Sequence, residues 1–260
     1  MELKYQQSAI SYLKKLADAD CHSILVSGIS GSGKTYLAMY FAKYKKIPTF
    51  HAIQPKVADL KELIDDSYRL SDDQVICIEN LDKGKDAAAQ VILKYLEEPL
   101  PNVYILVTCS NVSNIPATIR SRSIHVPLEN PSKEDLTDYA MFVNRSKWEL
   151  IQGKVISSVC KSLSEINFVL NLSLDEINYY ESFSDDKFWG SSVDQIMWNI
   201  GHYDNNSKTD VNLSLRCLHK YATAWSIKNC ILEALVDLEF GRLSETAVLG
   251  RLALACKQGR

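Results

Sequence analysis

Two kinds of hydrophobic pattern alternate along the first half of the chain. Amphipathic helices, with apolar residues spaced along one face, are predicted at residues 5–17, 34–45, 56–69 and 86–98. Short apolar runs typical of buried strands occur at residues 23–27, 75–79 and 103–109. Because strands that alternate with helices form parallel sheets covered on both faces, the pattern predicts an α/β domain with a parallel sheet over residues 1–130.

The pattern changes after Pro131. Residues 132–180 and 210–257 have helical periodicity without strand-like runs, and a polar stretch separates them around residues 183–209. These changes predict a small helical domain at residues 131–190 and an all-helical domain at residues 191–260. The tryptophans of this part are expected to pack in its core rather than to stack on bases; they are Trp148, Trp189, Trp198 and Trp225.

Composition and charge narrow the class of protein. The 260 residues are 46% hydrophobic and 23% charged, with a net charge of −3, which argues against a basic coat for nucleic acid. No apolar run reaches the about 18 residues of a membrane span, and the N-terminus lacks the apolar stretch of a secretory signal. The seven cysteines form no Cys-x-x-Cys pair, so neither a zinc site nor a disulfide framework is expected. We therefore expect a cytoplasmic protein without a membrane partner, in the host cytoplasm or nucleoid if the source is viral.

A Gly-x-x-x-x-Gly-Lys-Thr motif spans residues 28–35, between the predicted strand 23–27 and the predicted helix 34–45. This context favours a phosphate-binding loop over a glycine-rich turn. Glycines permit the backbone angles and close approach that let amide groups point at phosphate oxygens, while the lysine reaches the β- and γ-phosphates and the threonine ligates Mg²⁺. Contacts with ATP and Mg²⁺ are predicted for Gly28, Ser30, Gly31, Ser32, Gly33, Lys34 and Thr35.

A second group of site residues stands at the end of the predicted strand 75–79. P-loop ATPases end such a strand in Asp-Glu, where the aspartate holds the magnesium shell and the glutamate activates water. Here the residues are Glu79 and Asn80. Glu79 is expected to hold Mg²⁺ through water, whereas Asn80 can orient a water but cannot take its proton. The site is therefore expected to bind nucleotide better than it hydrolyses it, unless Asp82 serves as the base.

Residues 79–122 carry several motifs in a fixed order. They are the run 89–93 with Lys94, the turn Leu96-Glu97-Glu98-Pro99, the apolar strand 103–109, Pro116, Thr118-Ile119 and Ser121-Arg122. In this order and spacing they resemble the ATPase domain of DNA polymerase clamp-loader subunits, the AAA+ proteins that open ring-shaped sliding clamps. The resemblance covers residues 5–140 and implies a P-loop AAA+ sheet domain followed by a helical lid and a helical collar.

The resemblance also implies roles for Ser110 and Arg122. Ser110 falls where the family carries sensor 1, a small polar residue that contacts the γ-phosphate or the attacking water; the alternative is a serine that caps a turn. Arg122 falls in a motif that resembles the family's Ser-Arg-Cys, with Ser123 last, and would complete the ATP site of a neighbouring subunit. A guanidinium suits that task because its planar fork neutralises spread phosphoryl charge. The alternative is a surface arginine.

Two features of the resemblance are weaker. The lid arginine called sensor 2 has no match, because Ser164 stands at its place in the stretch Lys161-Ser162-Leu163-Ser164. Contacts with the DNA backbone are implied for Lys83, Lys85 and Lys94, which lie in or beside the helix 86–98; the alternative is ordinary solvated lysines.

The resemblance implies an ATP-binding subunit of a viral or bacterial clamp loader. Its expected partners are the other clamp-loader subunits, a sliding clamp and primer-template DNA, with the DNA polymerase as an indirect partner. Two alternatives stay open. One is a nucleotide-binding stator that does not hydrolyse ATP, and the other is a different AAA+ DNA machine, such as a helicase loader or a branch-migration motor.

Overall fold

The computed structural model describes residues 4–67, 69, 71–84, 86–182, 211–221 and 225–239, with residues 247, 248 and 252. These residues form two compact units. The first comprises Met1–Leu136 and Ser162–Ser164, and the second comprises Thr137–Lys161 and Glu165–Arg260. The predicted boundary between lid and collar, near residue 190, lies outside the described residues, and the three-domain division stays a prediction.

The first unit is built on a five-stranded sheet. Its strands are β1 Ser23–Ser27, β2 Thr49–Ile53, β3 Gln74–Ile78, β4 Val103–Cys109 and β5 Ile124–Pro127. They lie in the order β2-β3-β4-β1-β5, and every pair is parallel. The helices of the unit are α1 Gln7–Asp18, α2 Lys34–Lys45, α3 Val57–Ser67, α4 Asp86–Glu97 and α5 Ala117–Arg120. The predicted α/β fold with a parallel sheet is confirmed.

Alternate residues of the central strands pack against different helices, because successive side chains of a strand point to opposite faces of the sheet. Leu25, Ile76 and Ile105 belong to one buried cluster with residues of α3 and α4. Tyr104, which precedes Ile105 on β4, points to the opposite face, where its ring lies 5.6 Å from the ring of Phe41 on α2. The cysteines of β3 and β4 are fully buried, and burial raises the pKa of both the Cys77 and the Cys109 thiols to about 12.

The two edge strands were not identified from the sequence. β2 has the sequence Thr-Phe-His-Ala-Ile and is half-exposed along its length, whereas β3 and β4 are buried throughout. β5 is exposed at Ile124, His125 and Pro127. An edge strand lacks the unbroken apolar run that marks a strand with neighbours on both sides.

The second unit is helical, as predicted for residues 132–180. Its described helices begin with α6 Lys133–Ile151, whose first residues lie in the first unit, and continue with α7 Val155–Val159, α8 Leu163–Asn171, α9 Leu174–Ser182, α10 Val211–Tyr221 and α11 Trp225–Glu239. Asn144 interrupts α6 with φ −155° and ψ 88°. Trp148 is buried, as predicted, while Trp189 and Trp198 lie outside the described residues. None of the helices in the described part of the chain is long and apolar enough to cross a membrane.

Candidate functional site

The loop between β1 and α2 adopts backbone angles that its glycines permit. Gly31 (φ 74°) and Gly33 (φ 96°) are left-handed, a conformation that a side chain disfavours. Gly28 is required for a different reason, because a Cβ there would lie 2.7 Å from the Ser32 hydroxyl and 3.0 Å from the Leu128 Cβ. The loop therefore ends in a left-handed glycine at the N-terminus of α2, where helix amide groups favour an anion.

Lys34 is held at this loop rather than in solvent. Its ammonium donates hydrogen bonds to the carbonyl oxygens of Gly28 (2.8 Å) and Ile29 (2.9 Å), and the residue is only 7% exposed. Burial lowers the pKa of the ammonium, while the negative charge of Asp82 acts in the opposite direction. A buried cation beside the backbone of a phosphate-binding loop attracts phosphate oxygens.

Ser30 and Ser32 differ in their surroundings. Ser30 is exposed, whereas Ser32 is 1% exposed and its hydroxyl has no hydrogen-bond partner among the described residues. The Tyr5 hydroxyl donates to the Ser32 carbonyl at 2.8 Å. The N-terminal residues thus brace the loop from outside its motif, a contact that a local motif does not signal.

Oxygen atoms suited to a divalent cation gather next to the loop. The Thr35 hydroxyl donates to one oxygen of Glu79 at 2.6 Å, and Gln54 donates to the other at 2.8 Å. Gln54 follows β2 and was not identified from the sequence. Hydroxyl and carboxylate oxygens are the ligands that Mg²⁺ prefers, alongside water. Thr35 and Glu79 therefore fit the predicted cation site.

The ends of β3 and β4 are tied together beside these residues. Asn80 is left-handed (φ 52°), and its amide donates to the Thr108 hydroxyl at 3.0 Å. Asp82 accepts hydrogen bonds from the amides of Ser110 and Asn111, both at 3.0 Å. The structure thus brings Asn80, Asp82 and Ser110 together at the carboxyl ends of the strands, where the phosphate loop also follows β1.

Ser162 and Ser164 lie against the glycine-rich loop. A Cβ at Gly31 would lie 2.0 Å from the Ser164 hydroxyl oxygen and 2.7 Å from that of Ser162. The two hydroxyl oxygens are 3.2 Å apart, and both residues belong to the first compact unit. The position that the resemblance assigns to sensor 2 therefore contacts the loop, although a serine occupies it.

Replacement of Gly31 by alanine is expected to lower the free energy of unfolding of the first unit. A left-handed alanine costs about 1–2 kcal/mol, and the new methyl group must also displace Ser164. Urea denaturation of both proteins measures the effect. The matched control is Gly153→Ala, because no atom lies within 4 Å of a Cβ at that position. Equal midpoints for the two variants would contradict the loop geometry.

Arg122, Lys83 and Lys94 lie on the surface of the first unit. The Arg122 guanidinium contacts a Glu97 carboxylate oxygen at 2.9 Å and donates to the Thr118 carbonyl at 3.0 Å. Lys83 and Lys94 are exposed, and Lys85 lies outside the described residues. The predictions for Arg122 and for the DNA-contacting lysines stay predictions.

Comparison with known protein sequences finds similarity to DNA polymerase III subunits. Residues 50–132 match the family model described as DNA polymerase III, delta subunit. The chain is 24% identical to the DNA polymerase III subunit gamma of Buchnera aphidicola, over 60% of this chain and 54% of that protein. It is 29% identical to the DNA polymerase III subunit delta' of Haemophilus influenzae, over 34% of this chain and 29% of that protein. The chain thus spans about half of the first relative and less than a third of the second.

Solved structures share the fold. A DNA polymerase III gamma subunit-related protein of Thermotoga maritima superposes with a TM-score of 0.59 at 17% identity, covering 97% of this chain and all of that one. A proline-to-glycine mutant of Thermotoga maritima RuvB gives a TM-score of 0.52 at 14% identity, covering 84% of this chain and 83% of that one. These likenesses show the AAA+ fold alone, and together with the sequence matches they support a clamp-loader-like AAA+ subunit.

Proposed function

We propose that this chain is an ATP-binding subunit of a clamp loader, which opens a sliding clamp and loads it onto primer-template DNA. The observation that carries the nucleotide part is the pairing of Thr35 with Glu79 at 2.6 Å beside the buried ammonium of Lys34. The phosphate loop with α2 and the end of β3 therefore together offer a cation for phosphate oxygens and two oxygen ligands for Mg²⁺.

Different residues would bind the phosphates and the magnesium ion of Mg-ATP. The amides of the loop and the N-terminus of α2 would receive the phosphate oxygens, and Lys34 would exchange its loop carbonyls for the β- and γ-phosphates. Thr35 and Glu79 would hold Mg²⁺, which supplies charge neutralisation on the phosphates when bound. Gln54 fixes the Glu79 carboxylate through its second oxygen.

The clamp-loader part rests on the matches to DNA polymerase III subunits, one of which covers residues 50–132 and so includes β3, β4, β5 and α4. In this proposal ATP holds several subunits in one assembly with the clamp, and Arg122 completes the site of a neighbour. The likeness to RuvB is a likeness of fold and does not favour a branch-migration motor.

A second candidate function is a stator that binds nucleotide without hydrolysing it. Asn80, which directly follows Glu79 after β3, favours this candidate because an amide cannot accept the proton of an attacking water. Single-turnover hydrolysis by the purified subunit separates the two candidates, since the stator leaves bound ATP intact.

The proposed function is tested by the mass of the complex that this chain forms with the other clamp-loader subunits and the clamp of the same source. With Mg-ATP we expect a complex that contains the clamp, and without nucleotide we expect the clamp to dissociate. Light scattering after gel filtration measures both masses. Absence of this chain from every complex at both nucleotide conditions would contradict the proposal.

A further inference from the structure

The carboxylate of Asp82 is fixed by one oxygen only. Asp82 lies in the 3₁₀ turn Leu81–Lys83, two residues after Asn80. Its Oδ2 accepts the amide hydrogens of Ser110 and Asn111, so its orientation is set by the backbone at the end of β4. Its Oδ1 is buried and has no hydrogen-bond partner among the described residues.

A buried carboxylate oxygen such as Asp82 Oδ1 needs a hydrogen-bond donor. A buried carboxylate oxygen without a hydrogen bond is costly, and ordered water satisfies most such atoms in proteins. The two amide hydrogen bonds hold the carboxylate in one orientation, which a mobile surface aspartate would not achieve.

The contacts of Asp82 place it beside the phosphate loop. The Ser110 amide that binds Asp82 directly follows Cys109, the last residue of β4, and the charge of Asp82 acts on the Lys34 ammonium. The Gly28 amide donates to the Cys109 carbonyl at 3.2 Å, which joins the start of the phosphate loop to the same strand end.

The chemistry of the site lacks one group. Hydrolysis needs an acceptor for the proton of the attacking water, and Asn80 supplies none. Asp82 is the carboxylate that combines a fixed position with an oxygen that no described donor uses.

We propose that Asp82 Oδ1 holds the water that attacks the γ-phosphate and accepts its proton. In this step a bond forms between the water oxygen and the γ-phosphorus, and the bond from that phosphorus to the bridging oxygen breaks. The electron pair leaves with ADP, and the proton moves to Oδ1 and then to solvent. This inference rests on the proposed binding of ATP, and it assigns hydrolysis to this chain.

The test compares two substitutions at Asp82. Asp82→Asn keeps one oxygen that can accept the amides of Ser110 and Asn111 but removes the base, whereas Asp82→Ala removes both functions. In an assembled complex whose other ATP-binding subunits carry the phosphate-loop Lys→Ala change, we expect kcat for Mg-ATP to fall about 10²–10⁴-fold in both variants, with the ATP affinity of this chain, measured by calorimetry, unchanged. The matched control is Asp73→Asn, an equal change of charge at the exposed residue before β3, which should leave kcat unchanged.

Other outcomes overturn the inference. If Asp82→Asn keeps the rate of the unsubstituted protein, Asp82 serves only to tie β4 to β3, whatever the alanine variant does. If the unsubstituted complex binds Mg-ATP but does not hydrolyse it, Asp82 is not a base and the stator function stands. If the unsubstituted chain does not bind Mg-ATP, the proposed function itself fails, and calorimetry shows this separately from the rate.

Discussion

Replacement of Arg122 by alanine is expected to abolish most of the ATP hydrolysis at the neighbouring subunit while leaving the nucleotide affinity of this chain unchanged. The guanidinium contacts Glu97 and Thr118 on α4 and α5, and the side chain is 37% exposed. Arginine fingers are worth about 10³–10⁵ in rate in well-studied phosphoryl-transfer systems. The loss should be smaller here because turnover of the proposed clamp loader also waits on conformational steps.

The ion pair with Glu97 does not prevent this role. Both partners are exposed, so the pair contributes little to stability and exchanges at small cost for a phosphate of the neighbour. Glu97→Gln should therefore leave hydrolysis intact. Arg120→Ala is the matched control, because Arg120 is an exposed arginine on α5.

A mixing experiment tests whether Arg122 acts between subunits. Arg122→Ala chains are combined with chains that carry Lys34→Ala, or with the partner subunit that carries the equivalent lysine change. DNA-stimulated hydrolysis should partly return, because some interfaces then pair an intact Arg122 with an intact phosphate loop. If the isolated Arg122→Ala chain no longer binds nucleotide, the prediction that Arg122 acts between subunits is wrong, because the arginine then belongs to the nucleotide site of its own chain.

Lys34→Ala is expected to weaken ATP binding by roughly 10- to 150-fold. A charge-assisted contact is worth about 1.5–3 kcal/mol, and the substitution removes the buried cation of the loop. Isothermal titration with Mg-ATP measures the change. Lys43→Ala is the matched control, because Lys43 is an exposed lysine on the same helix. Equal affinities for both variants would refute the assignment of the phosphate loop.

The same residue gives a dependence on pH. Burial lowers the pKa of the Lys34 ammonium, so its charge is lost at a lower alkaline pH than that of an exposed lysine. ATP affinity should begin to fall at that lower pH in the unsubstituted protein. The alanine variant should lack this alkaline decrease, and isothermal titration over a series of alkaline buffers compares the two.

Sequence patterns located the central strands because each is an unbroken apolar run. β1 and β4 begin and end at the predicted residues, and β3 lies within one residue of its predicted bounds. β2 and β5 escaped detection because each pairs with one neighbour only and stays partly exposed. The half-buried pattern of an edge strand is weaker than that of a central strand in so short a segment.

The site was predictable where its chemistry is local in sequence. The phosphate loop and Glu79 follow from a motif and from a strand end. The contact of Asp82 with the Ser110 amide joins residues 28 apart, and that of Gly31 with Ser164 joins residues still further apart. Such contacts depend on how the elements pack and not on any one segment, so the unpaired oxygen of Asp82 required the structure.

The position of β1 in the sheet has a consequence for synthesis of the protein. β1 is made early, yet its hydrogen-bonded neighbours are β4 and β5, which end at Cys109 and Pro127. β2, β3 and β4 can pair as they are made, whereas β1 must wait and then join between β4 and β5. Pairing of such distant segments is intrinsically slow. The phosphate loop therefore acquires its shape late, so a ribosome-bound chain that ends before β4 carries the motif without a completed site.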